Sequence, residues 1–371
     1  MVKGETPKRP NQAKAKIRRS APARLTIHDV ARAAGVSIGT VSKALNKSGT
    51  LKQSTREHVM ETANKLGFRP NDLAQALHRG KSFTVGLISN DSFGRFTMPI
   101  MEGLEAVLAE QKIAIFMCNA TDDPVREKQH LDQLLGKQID GLVVTARRSD
   151  HIPGIDLGAI DLPLINVFAQ SRDPRAFSLL PDDEGGARMA TKHLIALGRR
   201  RIAHITGPES FEAVQLRHNG YQVALRESGI EPVGDYYQPG AWSECWGREA
   251  VYKLLAAKMA LPDAILCGND QIGRGALDAL RESGKLVPDE VAVVGFDNWD
   301  VMVNSSRPPL TSVDMNLPEL GKLAGKYLIR MIRGETFSGV RRLECTLHLR
   351  ESCGAAKQSS DAFVRENLET K

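Results

Sequence analysis

Aromatic residues make up only 5% of this 371-residue chain, and its five cysteines (Cys118, Cys245, Cys267, Cys345 and Cys353) show no C-x-x-C spacing. Scattered thiols in odd number exclude a disulfide framework and a cysteine metal site, and they fit a reducing cytoplasm. No apolar run approaches the ~18 residues of a membrane span. The basic N-terminus lacks the apolar stretch of a signal peptide, which points away from secretion. Enzyme signatures are missing too: there is no G-x-S-x-G, no H-E-x-x-H and no His/Cys cluster. Gly80-Lys81-Ser82 copies the end of a P-loop, but Gln75 stands where its first glycine must be. Gly273 and Gly275 begin a dinucleotide turn, but Asp278 takes the third glycine position. Neither catalysis nor a metal or cofactor is expected.

Charge is plentiful but uneven. Residues 1–81 hold 17 Lys/Arg against 5 Asp/Glu, net +12, whereas the remaining 290 are net −6. A basic head on a mildly acidic body is the pattern of a polyanion-binding domain joined to a separate one. Residues 1–24 have little to bury and read as a basic disordered arm. From Thr26 the pattern changes. TIHDVARAAGVSIGTVSKALN reads as two short helices, the first capped by Thr26 with Asp29 three positions on, and apolar through Ile27, Val30, Ala31 and Ala34. Gly35 suits the turn, and Ser37 caps the second helix, whose Val41, Leu45 and preceding Val36 face inward. A third helix is expected over about 54–66, capped by Ser54 and ended by Gly67. This is a helix-turn-helix pattern, with the second helix suited to a major groove. Its exposed set is Ile38, Gly39, Thr40, Ser42, Lys43 and Asn46, although any helical hairpin carries exposed polar side chains.

The rest alternates β-rich runs with helical stretches. Strands are expected at 84–89, 113–118, 141–144, 162–167, 201–206, 264–267 and 291–296. Helices are expected near 98–111, 124–136, 184–197, 213–228, 247–260 and 270–283. That rhythm predicts parallel sheets wound by helices. The length predicts two similar α/β subdomains, with a ligand cleft at the carboxyl ends of the strands.

TIHDVARAAGVSIGTVSKALN, STREHVMETANKLGFRPN and LAQAL together resemble the head of the lactose and galactose repressor (LacI) family from Thr26 to about Leu77. The resemblance implies base reading by Ile38 and Gly39, with Lys43 as a point charge where many members have arginine. Thr26, Ser37, Thr40, Ser42, Asn46 and Asn71 join them on the DNA face. It also implies a hinge helix over 71–81, in which Leu77 wedges into the minor groove and Gln75 replaces a common arginine. A lone leucine in a helix is otherwise core. The body carries further landmarks of the family: PDDEGGARMATKHLIALGRRRIAHITGP, RHNGYQVALRESGI, CGNDQIGRGALDAL and VAVVGFDN. They imply a bilobed fold similar to periplasmic sugar-binding proteins, crossed near 180, 313 and 341. The domains are then 25–70 for the head, 71–81 for the hinge, 82–353 for the body and 354–371 for a polar tail. The lobes would be 82–181 plus 314–341, and 182–313 plus 342–353.

Arg217, Trp242, Asn269 and Asp297 occupy ligand positions by the same resemblance, joined by Asp91, Phe93, Arg95 and Phe96 from the loop after the first strand. The lesser alternative for Arg217 and Asp297 is a structural ion pair, and for Trp242 a core or surface position. Asp182 and Asp183 read as crossover residues as much as ligands. The expectation is a cytoplasmic, nucleoid-associated homodimer that binds a near-palindromic duplex DNA and represses carbohydrate-related genes under a saccharide effector. A periplasmic binding protein is the rival reading, but it has no use for residues 25–80.

Overall fold

The structure, a computed structural model, describes residues 25–46, 48–68, 81–92, 94–152 and 160–355. The chain divides into two units, Met1–Gly80 and Lys81–Lys371.

In the first unit α1 spans Ile27–Ala34, α2 Ile38–Leu45 and α3 Gln53–Leu66. The Asp29 carboxylate accepts from the Thr26 backbone N–H at 2.9 Å and from its hydroxyl at 2.8 Å, which fixes the first turn. These two bonds, the backbone one foremost, hold Asp29 below the ordinary carboxylate range. Gly35 ends α1 at φ 65° and Gly67 ends α3 at φ 67°, in the left-handed region that favours glycine. Ser37 Oγ accepts from Thr40 N at 3.1 Å and caps α2. Ser54 does not cap α3. The helix starts one residue earlier, with Lys52 at the cap position and no side-chain cap. Val30, Ala31, Ala34, Val41, Ala44, Val59 and Ala63 form the core, with Val36 and Leu45 partly buried against it.

The second unit holds two six-stranded sheets. β1 (Thr84–Ser89), β2 (Ala114–Asn119), β3 (Gly141–Thr145), β4 (Leu164–Val167), β5 (Phe177–Pro181) and β11 (Gly339–Leu343) form the first, in the order β11-β5-β4-β3-β1-β2. The second contains β6 (Ile202–Thr206), β7 (Tyr237–Pro239), β8 (Ala264–Cys267), β9 (Ala292–Phe296), β10 (Thr311–Asp314) and β12 (Thr346–His348), in the order β12-β10-β9-β8-β6-β7. All pairings are parallel except that of β12 with β10, which is antiparallel. The chain crosses between sheets at three places: Asp182, Met315–Asn316 and Glu344–Cys345. Asp314 therefore belongs to the second lobe, and Arg342 and Leu343 to the first, which corrects the expected boundaries by one to two residues.

Helices α4 (Thr97–Glu110), α5 (Pro124–Gly136) and α11 (Leu317–Ile332) belong to the first lobe. Helices α6 (Asp183–Ala196), α7 (Glu212–Glu227), α8 (Glu244–Ala256), α9 (Asp270–Glu282) and the short α10 (Asp300–Val303) belong to the second. Strands β5, β7, β10, β11 and β12 and helices α10 and α11 lie outside the sequence expectation. Helix α11 hides behind Gly321 and Gly325, which look like breakers. Gly321 is instead a contact: a Cβ there would fall 2.0 Å from the Ile100 carbonyl oxygen of α4. One apolar core runs through both sheets, from Leu87, Val143 and Ile165 to Leu266, Val294 and Phe296.

Candidate functional site

The cleft between the two lobes is built where strands end. The segments after β1, β3 and β4 supply Arg95, Phe96, Arg147, Arg148, Ser149, Asp150 and Phe168 from one lobe. Phe211, Ala213, Arg217, Trp242, Asn269 and Asp297 line it from the other, enclosing about 270 Å³. Carboxyl-terminal strand ends are where α/β sheets leave room for ligands, because the chain turns away there.

Six expected residues meet in this cavity: Arg95, Phe96, Arg217, Trp242, Asn269 and Asp297. Asp91 does not line it. Its carboxylate accepts from Phe96 N at 2.7 Å and Thr97 N at 3.0 Å, so it shapes the loop that carries Arg95. Phe93 lies outside the described residues, as do Asn71, Gln75 and Leu77 of the hinge.

The second lobe presents a fixed array. Buried Arg217 donates through Nε to Asp183 Oδ1 at 2.8 Å, and its Nη2 stands 2.7 Å from the same oxygen. Nη1 donates to the Gly268 carbonyl, and the Phe296 ring lies 3.6 Å from the guanidinium carbon. Arg217 is therefore an ion-pair residue, but its close partner is Asp183; Asp297 Oδ1 is 3.7 Å away. The near partner of Asp297 is Arg95, reaching from the other lobe, whose Nη1 also donates to Gln271 Oε1 at 3.2 Å. Burial raises Asp297 above the ordinary carboxylate range, and Arg95 and Arg217 offset only part of this. Neighbouring Asp270 is raised by burial and by Asp297, while it accepts from Trp299 N at 2.7 Å. Asn269 Oδ1 caps α9 by accepting from Ile272 N at 2.8 Å, which leaves its amide N–H groups as the available donors. Asp182 caps α6 through Gly185 N at 3.0 Å, which makes it a crossover residue.

Aromatic faces close the cavity. Phe96 stacks on Phe168 at 4.8 Å, and Trp242 meets Phe211 edge-on at 5.9 Å. Gly207 makes room for Trp242, since a Cβ there would fall 2.2 Å from the indole. Arg148 lies 4.0 Å over the Phe211 ring and forks onto Asp150 at 2.6 and 2.7 Å. Two lining residues, Phe168 at φ 55° and Asp297 at φ 104°, hold positive backbone angles that non-glycine residues seldom adopt. Arg147, Arg148, Ser149, Asp150, Phe168, Phe211 and Ala213 were missed. The run RRSD after a strand is the signal that could have found the first four.

In the head, Ser37, Ile38, Gly39 and Lys43 are exposed on and before α2, and Thr40, Ser42 and Asn46 are half-buried. Ser37 Oγ lies 2.9 Å from Thr40 Oγ1, and Asn46 Nδ2 donates to Ser42 Oγ at 3.3 Å. Arg56 of α3 donates to the Lys43 and Ala44 carbonyls, both at 3.2 Å, and so caps the end of α2. That positioning role escaped the sequence reading. Among the described residues no group of three His, Cys, Asp or Glu side chains could hold a metal, and no helix is long and apolar enough to cross a membrane.

Residues 26–71 match the family described as bacterial regulatory proteins, lacI family, and residues 191–353 match a periplasmic binding protein-like domain. Catabolite control protein A of Priestia megaterium is 32% identical over 88% of this chain and 99% of its own length. The HTH-type transcriptional repressor PurR of Aliivibrio fischeri (strain MJ11) is 30% identical over 83% of this chain and 92% of its own. Among solved structures, the Lac repressor dimer bound to operator and the anti-inducer ONPF superimposes with a TM-score of 0.75 at 26% identity, covering 89% of this chain and 99% of that one. With its helix-turn-helix head, its two parallel-sheet lobes and these relatives, the chain belongs to the lacI family and is a DNA-binding transcriptional repressor.

Proposed function

We propose that this repressor is controlled by a small neutral saccharide or sugar derivative held between its lobes, and that it governs carbohydrate-related genes. The pairing of charges around the cavity carries the reading. Each of its four arginines already meets a carboxylate: Arg95 with Asp297, Arg147 with Asp122, Arg148 with Asp150 and Arg217 with Asp183. Two of those carboxylates, Asp150 and Asp297, line the cavity and two stand behind it, and arginines already paired in this way favour an uncharged ligand whose hydroxyls can both donate and accept. The faces of Phe96, Phe168, Phe211 and Trp242 suit the C–H surface of a sugar ring. A cavity of about 270 Å³ is at the small end for ligand sites, which favours a compact molecule. Arg95, Phe96, Arg217, Trp242, Asn269 and Asp297 are the effector residues of this proposal. Phe93 rests on resemblance alone.

The repressor acts as a cytoplasmic homodimer on a near-palindromic operator. Strand β2 supports the dimer. It is a sheet edge with Phe116 46% and Met117 37% exposed, and an unpaired edge of that kind invites a second chain. Thr26, Ser37, Ile38, Gly39, Thr40, Ser42, Lys43, Asn46, Asn71, Gln75 and Leu77 form the DNA surface. Leu77 wedges at the centre of the operator, and effector binding governs whether two hinge segments can pair, so the two affinities are linked reciprocally.

Calorimetric titration against neutral sugars, sugar phosphates and purines tests the effector. Binding of a neutral sugar, lost in Asp297→Ala, is the expected result. Binding of a purine or a phosphorylated sugar with no neutral sugar bound overturns it. Selection of random duplexes with wild-type and Leu77→Ala protein tests the operator reading, because a palindromic motif whose central step matters only with Leu77 is expected.

A further inference from the structure

Glycines in the interior of the body helices answer to packing. A Cβ at Gly103 would fall 1.8 Å from the Pro318 carbonyl oxygen, and one at Gly247 or Gly275 would fall 2.2 or 2.0 Å from the carbonyl oxygens of Ile272 and Glu244. Gly39, in the second position of α2, has no such reason. The nearest atom to a Cβ there is Ser37 Oγ at 3.8 Å, ordinary contact distance, and its φ is not positive. Glycine weakens a helix relative to alanine, and among the described residues no close contact accounts for it here. Directly before it stands Ile38, 42% exposed although it is the large apolar side chain on a face of hydroxyls, amide and ammonium. An exposed isoleucine beside a glycine with open space above it fits a partner that comes close and offers an apolar group.

We propose that Ile38 and Gly39 read a thymine: Ile38 packs on the C5-methyl group in the major groove, and Gly39 is the clearance that lets the base-pair edge approach the backbone of α2. The inference rests on α2 being the DNA-reading helix. Thymine is the one base that presents a methyl group on the major-groove edge, while cytosine and adenine present amino donors there. Isoleucine has nothing to accept from those donors, so pressing it against them strips their water without a replacement. Selection against the wrong base follows from the same contact that favours the right one.

The test uses the full-length protein and operator duplexes recovered from random DNA, remade with each thymine replaced singly by deoxyuridine, which removes only the methyl group. One thymine per half-site is expected at which the replacement weakens binding about fourfold, the effect of uncovering one methyl group. Ile38→Ala should bind the two duplexes equally, and Ile38→Val should keep most of the preference. Gly39→Ala should increase hydrogen-exchange protection across residues 27–45 and yet weaken operator binding about tenfold. These opposite signs separate a lost clearance from a folding defect. Operator binding without a methyl-dependent thymine, an unchanged preference in Ile38→Ala, or wild-type affinity in Gly39→Ala each overturns the assignment. Recovery of no motif at all overturns the reading of α2 on which it rests.

Discussion

The two lobes of the body share an architecture and face one cavity, yet they hold their site residues in different ways. In the second lobe Arg217, Asp183 and Asp297 are almost wholly buried, and backbone groups at Gly268 and Val313 tie the array to the strand ends. In the first lobe Arg147 and Arg148 have side chains 61% and 36% exposed, and each is paired from a loop. Arg95 is the intermediate case, since it starts in a first-lobe loop and ends on the second lobe's Asp297. A buried network has few alternative arrangements, because every unpaired charge in it is costly. Exposed pairs exchange with water and with one another at little cost. The second lobe is thus a template, and the first supplies groups that can rearrange over a ligand.

Arg217→Ala should show the largest effect. It leaves Asp183 and Asp297 buried without their shared cation, a loss of about 3–5 kcal/mol for a broken buried pair. Denaturant titration followed by tryptophan fluorescence reads this through Trp242, Trp246 and Trp299. A variant within about 1 kcal/mol of the parent would mean that the array is not a template.

Acid comes next, again through the second lobe. His204 of β6 is buried against His218, Tyr221 and Tyr237, and burial lowers its pKa from 6.5 to about 3, with His218 and Arg217 adding to the effect. The unfolded chain therefore takes the proton first as pH falls below 6.5. Stability from this site is complete above 6.5 and declines toward pH 3, by up to about 1.4 kcal/mol per pH unit. Burial also lowers His218, partly opposed by Glu209, so it adds a smaller slope of the same sign. Carboxylates give slopes of their own, and comparison with His204→Leu between pH 7 and 4 isolates the histidine. Parallel curves for the two proteins would remove His204 from the account.

How far the sequence reveals these regions follows from how local their determinants are. The head is legible because its signals sit within four residues of what they control: Asp29 for Thr26, Ser37 for Thr40, Gly35 and Gly67 for their helix ends. Ser54 misleads because a capping residue type can equally occupy a first turn. In the body, the strands with continuous apolar runs are visible. Strand β11, with the sequence GVRRL, is mostly exposed, and β7 has three residues, so neither carries a pattern that periodicity can detect. The sequence puts Asp91 and Arg217 next to strand ends, but the partner of each depends on loop and lobe geometry. Resemblance gives the position of Arg217, whereas its bond to Asp183 spans 34 residues and only the fold sets it.

The smallest effects sharpen the comparison within the first lobe. Arg95→Ala removes a charge-assisted bond to Asp297, and effector affinity should fall about tenfold, the value of one such bond. Arg147→Ala removes an exposed pair with Asp122, and affinity should change less than about threefold with no shift in melting temperature. Titration of both variants with the same sugar makes the contrast. If Arg147→Ala were the more damaging, the cavity would draw its selectivity from the exposed loop after β3, and a ligand bearing charge would replace the neutral sugar. If the order holds, binding is set where the two lobes meet at Asp297, because that is where a first-lobe group reaches a carboxylate that burial and Arg217 keep in place.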